Sequence, residues 1–547
     1  MTIQWFQGTN EDYAERFVRH CKAGEAIVLG GAGVSAVAPS CLPLGRTLRD
    51  GVIDQVFHGS PLVRCAVQLR SSAVFQPQVP EVVFGDLYKF LGDSLFEHFR
   101  QLELAPINLV HQVLAHMSTK FRLPLFTTNF DRLLQEAGAP SAMVFHVHGS
   151  IQHPQTMAVL LSQVHGRKEP QHSKGFRARA RGKHVYVLGY SGTDLDIMQL
   201  LRSSSPTSIS WLLHSTNSKD TLSNLNTADL TVEAFAGELS AMATASVKHL
   251  PLFAVPVAKT TLSIAAPASH SVAHSLWSQY CCLTLLLYRV HQFKAALQVG
   301  EEGLALHAGT TPEEALRLAI MVGEMKVIAG LPQVAVLRFL RGYLQPVLHS
   351  PVYAQLSNAI GLFHLRSARY REANRSFGRA LRQGRPWLRS RIRGSRDLAI
   401  IVVSQATNNL GLCYYETRRY KDALKLFHCS LRLKRRHGNT LGELSSAINI
   451  ALASLQLDQP KAFVYWERHA TLLANKYGQW RRLMELWRDS AEVLAAKGEH
   501  ADALIRFAQA IDIIEQRISG LDAEATRLKR RLNTVTKARG SRCQRTP

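Results

Sequence analysis

The chain contains no CxxC pair, no apolar run of membrane-spanning length and too little acid to balance its base, with 41 Asp plus Glu against 65 Lys plus Arg. Its eight cysteines, Cys21, Cys41, Cys65, Cys281, Cys282, Cys413, Cys429 and Cys543, are scattered. That spacing argues against a disulfide framework and a thiolate zinc site, and leaves them as ordinary thiols of a reducing compartment. The opening residues, MTIQWFQGTNEDYAERF, lack the apolar core of a signal peptide. With no membrane-length run either, a cytoplasmic protein with no membrane partner is expected. The shortage of acid gives a formal charge of +24. Nucleic acid, a phosphate-rich ligand or an acidic protein would each answer that charge, and a basic surface with no dedicated partner answers it equally well. A chain of 547 residues, 46% of them hydrophobic, exceeds what one core serves, so two or more domains are expected.

The first half alternates short apolar runs with helical tracts. Glu11 to Ala23 has helical spacing, with Tyr13, Phe17 and Cys21 on one side, and Gly24 stops it. A buried-strand run, Ala26 to Leu29, leads into Gly30-Gly31-Ala32-Gly33-Val34-Ser35. Glycines after a strand let backbone amides approach a phosphate, although a tight turn needing positive φ explains such a cluster alone. Helical tracts follow at Leu48 to Phe57, Val82 to Leu104 and, beyond Pro106, Ile107 to Met117. Then comes LPLFTTNFDRLLQEAGAPSAMVFHVHGSI, residues 123–151, which reads as strand, polar loop, helix and strand. Asn129, Asp131 and His148 fall at the strand ends, where ligands of open α/β sheets bind. His146 and His148 share one face of a regular strand, so geometry alone does not choose between them. The basic stretch Gly166 to Lys183 reads as a solvated connection. Another strand, Val185 to Leu188, runs into Gly189-Tyr190-Ser191-Gly192-Thr193-Asp194, ahead of a helix at Ile197 to Leu201 that Asp194 could simply cap. A further strand spans Ile209 to Leu213, and Leu230 to Ala245 reads as strand then helix. Polar or Gly-rich turns at successive strand ends predict a doubly wound parallel α/β sheet that binds a nucleotide.

Gly31-Ala32-Gly33-Val34-Ser35 with Leu42-Pro43, Thr128-Asn129-Phe130-Asp131, His148-Gly149-Ser150, and Gly189-Tyr190-Ser191 with Asp194, in that order, resemble the sirtuin superfamily. They are most similar to its bacterial branch of NAD-consuming anti-phage effectors, over roughly residues 20 to 250. The resemblance implies a Rossmann-like sheet with NAD as substrate. It implies that Gly31, Ala32, Gly33 and Ser35 hold NAD phosphates, that Asn129 and Asp131 serve the nicotinamide-ribose region, and that His148 is the catalytic base. Gly189, Ser191 and Asp194 complete the binding set, and His146 is left a structural role. Sirtuin deacylases carry paired CxxC motifs for zinc between the His and the later Gly-Ser strand, and a Gln before the Asn. Here nothing of that kind lies between Ser150 and Val185, and Thr128 stands where Gln would. No zinc is therefore expected, and NAD hydrolysis is favoured over deacylation. A silent NAD or ADP-ribose pocket in a sensing scaffold is the alternative.

Pro251 to Ser271 is rich in Pro, Ala, Ser and Thr and marks a boundary. After it Gly361, Tyr370, Ala373, Phe377 and Ala380 recur as Gly411, Tyr420, Ala423, Phe427 and Ser430. Weaker copies fall at Ala462, Trp466 and His469, at Ala503, Phe507 and Ala510, and near Phe293 and Ala296. Small residues where helices cross, with aromatics four positions on, resemble tetratricopeptide repeats with longer helices or inserted loops, one such insertion being Gln383 to Arg396. The expected organisation is a sirtuin-like domain at 1–250, a linker at 251–271, an all-α TPR-like solenoid at 272–520 and a flexible basic tail at 521–547. Such a solenoid offers a concave surface for a protein or peptide trigger, or for assembly into a homo-oligomer. Basic patches at Arg369 to Arg396, at Lys434-Arg435-Arg436 and in the tail could also meet nucleic acid, with no base-reading motif beside them.

Overall fold

The computed structural model describes residues 2–73, 75–160, 171–192, 195–213, 231–250, 274–306, 310–343, 350–518 and 522–543. The expected linker, and Asp194, lie outside the described residues. The chain forms two compact units, one of residues 1–58 and 87–273, the other of residues 59–86 and 274–547. The segment 59–86, which the sequence reading placed within the first domain, thus groups with the helices.

The first unit is built on a seven-stranded sheet. Its strands are β1 (Thr2–Trp5), β2 (Ala26–Gly30), β3 (Leu125–Thr127), β4 (Val144–His146), β5 (His184–Leu188), β6 (Ser208–Leu213) and β7 (Thr231–Ala236). The order is β1-β7-β6-β5-β2-β3-β4 and every pairing is parallel. From β4 to β7 this is the doubly wound order, with β1 added at the far edge, and the switch point lies between β2 and β5. Strands covered on both faces read as unbroken apolar runs, as β2 and β5 do. Val28, Leu125 and Tyr186 point into a core under helices Asn10–Lys22, Leu109–Phe121 and Leu239–Lys248. Ile27, Leu29, Phe126, Val185 and Val187 point into the opposite one, which helices Ser173–Ala180 and Leu195–Arg202 cover. The tract expected as one helix over Val82 to Leu104 is an α-helix, Pro80–Leu91, followed by a 3-10 helix, Gly92–Leu104. Gly92, at φ 57°, makes the break.

The second unit pairs helices in succession, beginning with Leu276–Arg289 and Phe293–Ala305 and ending with Trp480–Lys497 and His500–Arg517. Each turn inside a pair has one residue in the left-handed region: His291, Gly330, Ala368, Arg418, Asp458 and Gly498. The recurring sequence pattern has a direct packing cause. A Cβ built on Gly361 would sit 2.4 Å from the Phe377 ring, and one on Gly411 2.6 Å from the Phe427 ring. Ala373, Ala380, Ala423, Ala503, Phe507 and Ala510 are all buried. The copy read at Ala462, Trp466 and His469 is displaced by one residue: Phe463 and Ala470 enter the core, while Trp466 lies against His428. The expected insertion at Gln383 to Arg396 is a short 3-10 helix, Arg385–Arg389, before the long helix Arg393–Glu416. The basic tail, expected to be flexible, forms helix Asp522–Cys543. Ala525, Leu528 and Val535 recur at helical spacing and are buried, and Arg531 pairs with Glu492 at 2.8 Å. No described helix is long and apolar enough to cross a membrane.

Candidate active site at the carboxyl ends of the central strands

Parallel strands aim their carboxyl ends the same way, so the loops after β2, β3, β4 and β5 collect on one edge of the sheet. Gly31, Ala32, Gly33 and Ser35 follow β2, Asn129 and Asp131 follow β3, His148 follows β4, and Gly189 and Ser191 follow β5. All the described candidate residues therefore occupy this edge.

The two glycine loops meet directly across the switch point. Gly31 donates its amide to the Leu188 carbonyl at 2.9 Å, and Gly33 to the Gly189 carbonyl at 2.8 Å. A Cβ on Gly33 would lie 2.7 Å from the Gly189 Cα, and one on Gly189, itself at φ 60°, would lie 2.5 Å from the Val34 nitrogen. The glycines are thus needed for loop-on-loop contact. Those two amides are committed to backbone carbonyls rather than turned outward to a phosphate. Ser191 lies exposed on the β5 loop.

Ser35, buried beneath the first loop, is the hub of a polar network. Its hydroxyl donates to Asp131 Oδ2 at 2.9 Å and accepts from Asn129 Nδ2 at 2.9 Å. His111 Nε2 is 3.1 Å from the same oxygen. His111 Nδ1 accepts the Asn108 amide at 3.3 Å, so the imidazole carries its hydrogen on Nε2 and donates to Ser35. Burial lowers the His111 pKa to about 4, which keeps the ring neutral. Asn108 caps helix Leu109–Phe121 and donates from its side chain to the Val34 carbonyl at 2.8 Å, anchoring the glycine loop to that helix. Burial raises the Asp131 pKa, with the Ser35 hydroxyl and the Leu133 amide pulling the other way.

Asn129 is held from three directions. Its amide donates to Thr127 Oγ1 at 3.0 Å, its carbonyl accepts from His146 Nδ1 at 2.9 Å, and its side-chain nitrogen reaches Ser35. His146 Nε2 faces Gln135 Nε2 at 2.8 Å, so His146 is neutral and orients the Asn129 backbone. Asn129 Oδ1 is buried with no hydrogen-bond partner among the described residues. A buried acceptor of this kind costs on the order of 1–3 kcal/mol unless a donor meets it. A ribose hydroxyl or a water is a donor of the right type.

His148 is buried, with its Nε2 3.0 Å from Asp196 Oδ2 at the start of helix Leu195–Arg202. Gly149, at φ 81°, turns the chain after it where a Cβ would meet the Thr156 carbonyl oxygen at 2.2 Å. Asp196 was visible in sequence only as an acid near a helix start, and His111 only as one residue of a helix. The Asn-x-x-His spacing from Asn108 to His111 was the available signal for the second. Among the described residues, no group of three His, Cys, Asp or Glu is placed to hold a metal ion.

A family model described as a SIR2-like domain matches residues 134–210, which include His148 and the β5 loop. SIR2-like domains bind NAD, so this segment is similar to NAD-related enzymes of the sirtuin superfamily. No curated protein matches the chain. Among solved structures, a Rap protein complexed with competence and sporulation factor is similar to it, with TM-score 0.35, 14% identity, 49% of this chain and 76% of that chain covered.

Proposed function

We propose that the sheet edge hydrolyses NAD to ADP-ribose and nicotinamide. The observation that carries this reading is the unpartnered Asn129 Oδ1, fixed beside the switch point by Thr127, His146 and Ser35. In the reaction the nicotinamide–ribose C–N bond breaks, its electron pair leaves with the nicotinamide nitrogen, and a water oxygen bonds to the anomeric carbon. Asn129 Oδ1 accepts from the ribose or the attacking water and faces the positive charge that develops on the sugar. His148, whose Nε2 meets Asp196, takes the proton the water releases. Asp131 and His111 act through Ser35 as positioning residues. The Gly31–Gly33 loop and the Gly189–Ser191 loop, with Asp194, flank the phosphates.

The committed amides of Gly31 and Gly33 favour one second reading, a pocket that binds NAD or ADP-ribose without turnover. In either case the helical unit binds a protein or peptide trigger or mediates homo-oligomer assembly; in the first, the hydrolase serves as an effector of bacterial anti-phage defence in the cytoplasm. Incubating the full chain with NAD and following nicotinamide and ADP-ribose by chromatography, with and without phage-infected lysate, tests it. Nucleotide binding with no product in any condition would leave the sensing pocket as the surviving reading.

A further inference from the structure

Residues 366–396 hold eleven arginines and one carboxylate, Glu372. On helix Tyr370–Gly384, Arg371, Arg375, Arg379 and Arg382 fall within about 80° of one another at 100° per residue. Ala373, Phe377, Ala380 and Gly384 fill the opposite, buried side. All four arginines are exposed, and none is held in an ion pair or a hydrogen bond among the described residues. Fifty residues on, in the next repeat, Lys421, Lys425, Arg432 and Arg436 of helix Tyr420–Arg436 form the same stripe over the same buried pattern. Of these, Lys425 shares Asp422 at 3.9 Å with Arg419. The stripe thins there: the corresponding helix of the third repeat, Pro460–Lys476, keeps Lys461 and Arg468 exposed but also exposes Val464, Tyr465 and Leu472. Eight like charges held on ordered helices repel one another, and among the described residues only the long Lys425–Asp422 contact offsets that cost, so the arrangement calls for an anionic partner.

We propose that this two-repeat basic face binds the phosphodiester backbone of single-stranded nucleic acid. Successive arginines at i and i+4 rise about 6 Å along the helix, a spacing on the scale of neighbouring phosphates in an extended strand. The first stripe is all arginine, whose planar fork matches phosphate oxygens two at a time. Trp387, half-buried and lying between Arg385 and Arg389 on the 3-10 helix that follows, carries a ring of the kind on which an unpaired base stacks. A lipid surface fits less well, because Ile392 is the exposed large hydrophobic residue of the segment and a membrane-binding helix needs an apolar face of its own. The proposal stands independently of the NAD reading.

Fluorescence anisotropy on the full-length protein tests it, using labelled single-stranded DNA and RNA of mixed sequence, the same DNA as a duplex, and vesicles containing phosphatidylserine. Single strands should bind with an affinity that falls linearly with the logarithm of salt. Reversal of all four arginines (R371E, R375E, R379E, R382E) should shallow that slope by about 3, at roughly 0.7 per phosphate contact. Trp387→Ala should weaken single-strand binding by roughly fivefold or more while leaving the salt slope unchanged. Circular dichroism on each variant checks that the helices persist. Binding by the folded reversal variant equal to wild type, tighter binding to duplex or vesicles than to single strands, or no nucleic-acid binding at all would overturn the proposal.

Discussion

Asn129 and Ser35 are joined by a 2.9 Å hydrogen bond from the amide nitrogen to the hydroxyl, which turns Oδ1 of Asn129 away from the protein's own donors. The amide's orientation is set by the hydroxyl's other partners. Because Ser35 donates to Asp131 and receives from His111, its oxygen offers Asn129 only a lone pair, and only the NH₂ end of Asn129 can meet it. The carbonyl end is left to the ligand.

Asn129→Asp should therefore be more informative than Asn129→Ala. The carboxylate keeps the shape but cannot donate to Ser35, so the network should rearrange and kcat for NAD hydrolysis should fall by about 100-fold or more, the loss seen when one positioned polar group is removed from an active site. Steady-state turnover within a few-fold of wild type in both variants would falsify the assignment of Asn129.

The His148–Asp196 pair carries a separate expectation. Asp196→Asn preserves size and an acceptor oxygen but removes the charge opposite the imidazole. If His148 acts as base, turnover should drop by roughly 10- to 100-fold with little change in NAD affinity, as for other residues that orient a working histidine. His148→Ala should cost more, and the double variant should be no worse than His148→Ala alone, because the two residues act as one unit. Additive losses, measured by single-turnover product formation, would separate their roles.

What the sequence made legible follows the physics of each feature. The parallel sheet was readable because β2 and β5 are buried on both faces and so are plain apolar runs ending in glycine. β1 was not, since Thr2–Trp5 is an edge strand too short to carry a pattern. The site loops could be located, but not their wiring: the Ser35–Asp131 bond spans 96 positions, and nothing local marks Ser35 as a hub. In the helical unit, Gly361 with Phe377 and Gly411 with Phe427 stood out because close packing restricts residue type. The left-handed turns did not, because Ala368, Arg418 and Asp458 occupy positions where glycine would have announced them. The grouping of 59–86 with the helices left no local signal, as its residues are helix formers compatible with either unit.

Those turns make a stability prediction with two signs. Arg418, exposed and at φ 60°, sits where an L-residue costs on the order of 1 kcal/mol, so Arg418→Gly should raise the melting temperature of the helical unit slightly after the entropy of the added glycine is offset. Gly411→Ala, seven residues away, should destabilise that unit by about 1–3 kcal/mol, because the new methyl would meet the Phe427 ring at 2.6 Å inside a packed core. Calorimetry of the pair checks both. A stabilised Gly411→Ala would mean that the helices can slide apart and that the packing argument is wrong.

Acid sensitivity of the sheet unit follows from two histidines. Burial holds His111 at about 4. Burial, then the charges of His184, Arg16 and Arg19, hold His20 at about 4 against a smaller opposing pull from Glu25. The His20 ring stacks on His184 with centroids 3.9 Å apart, and its Nδ1 is 2.8 Å from the Tyr186 hydroxyl. An unfolded imidazole titrates near 6.5, so between roughly pH 6.5 and 4 the unfolded chain binds protons that the fold excludes. The stability these rings contribute is complete above about pH 6.5 and is lost as the pH falls towards 4, with the larger share from the more deeply buried His111 because solvent screens His20. Below that range protonation of His111 Nδ1 would also orphan the Asn108 amide and loosen the Ser35 network, so NAD turnover should fall with unfolding. Urea midpoints measured between pH 7.5 and 4.5 should decline for wild type and decline less steeply for His20→Gln, which has no proton to take up. Parallel slopes for the two proteins would remove His20 from the account and leave His111 and the other histidines lowered by burial, His146 among them, as the acid-sensitive groups.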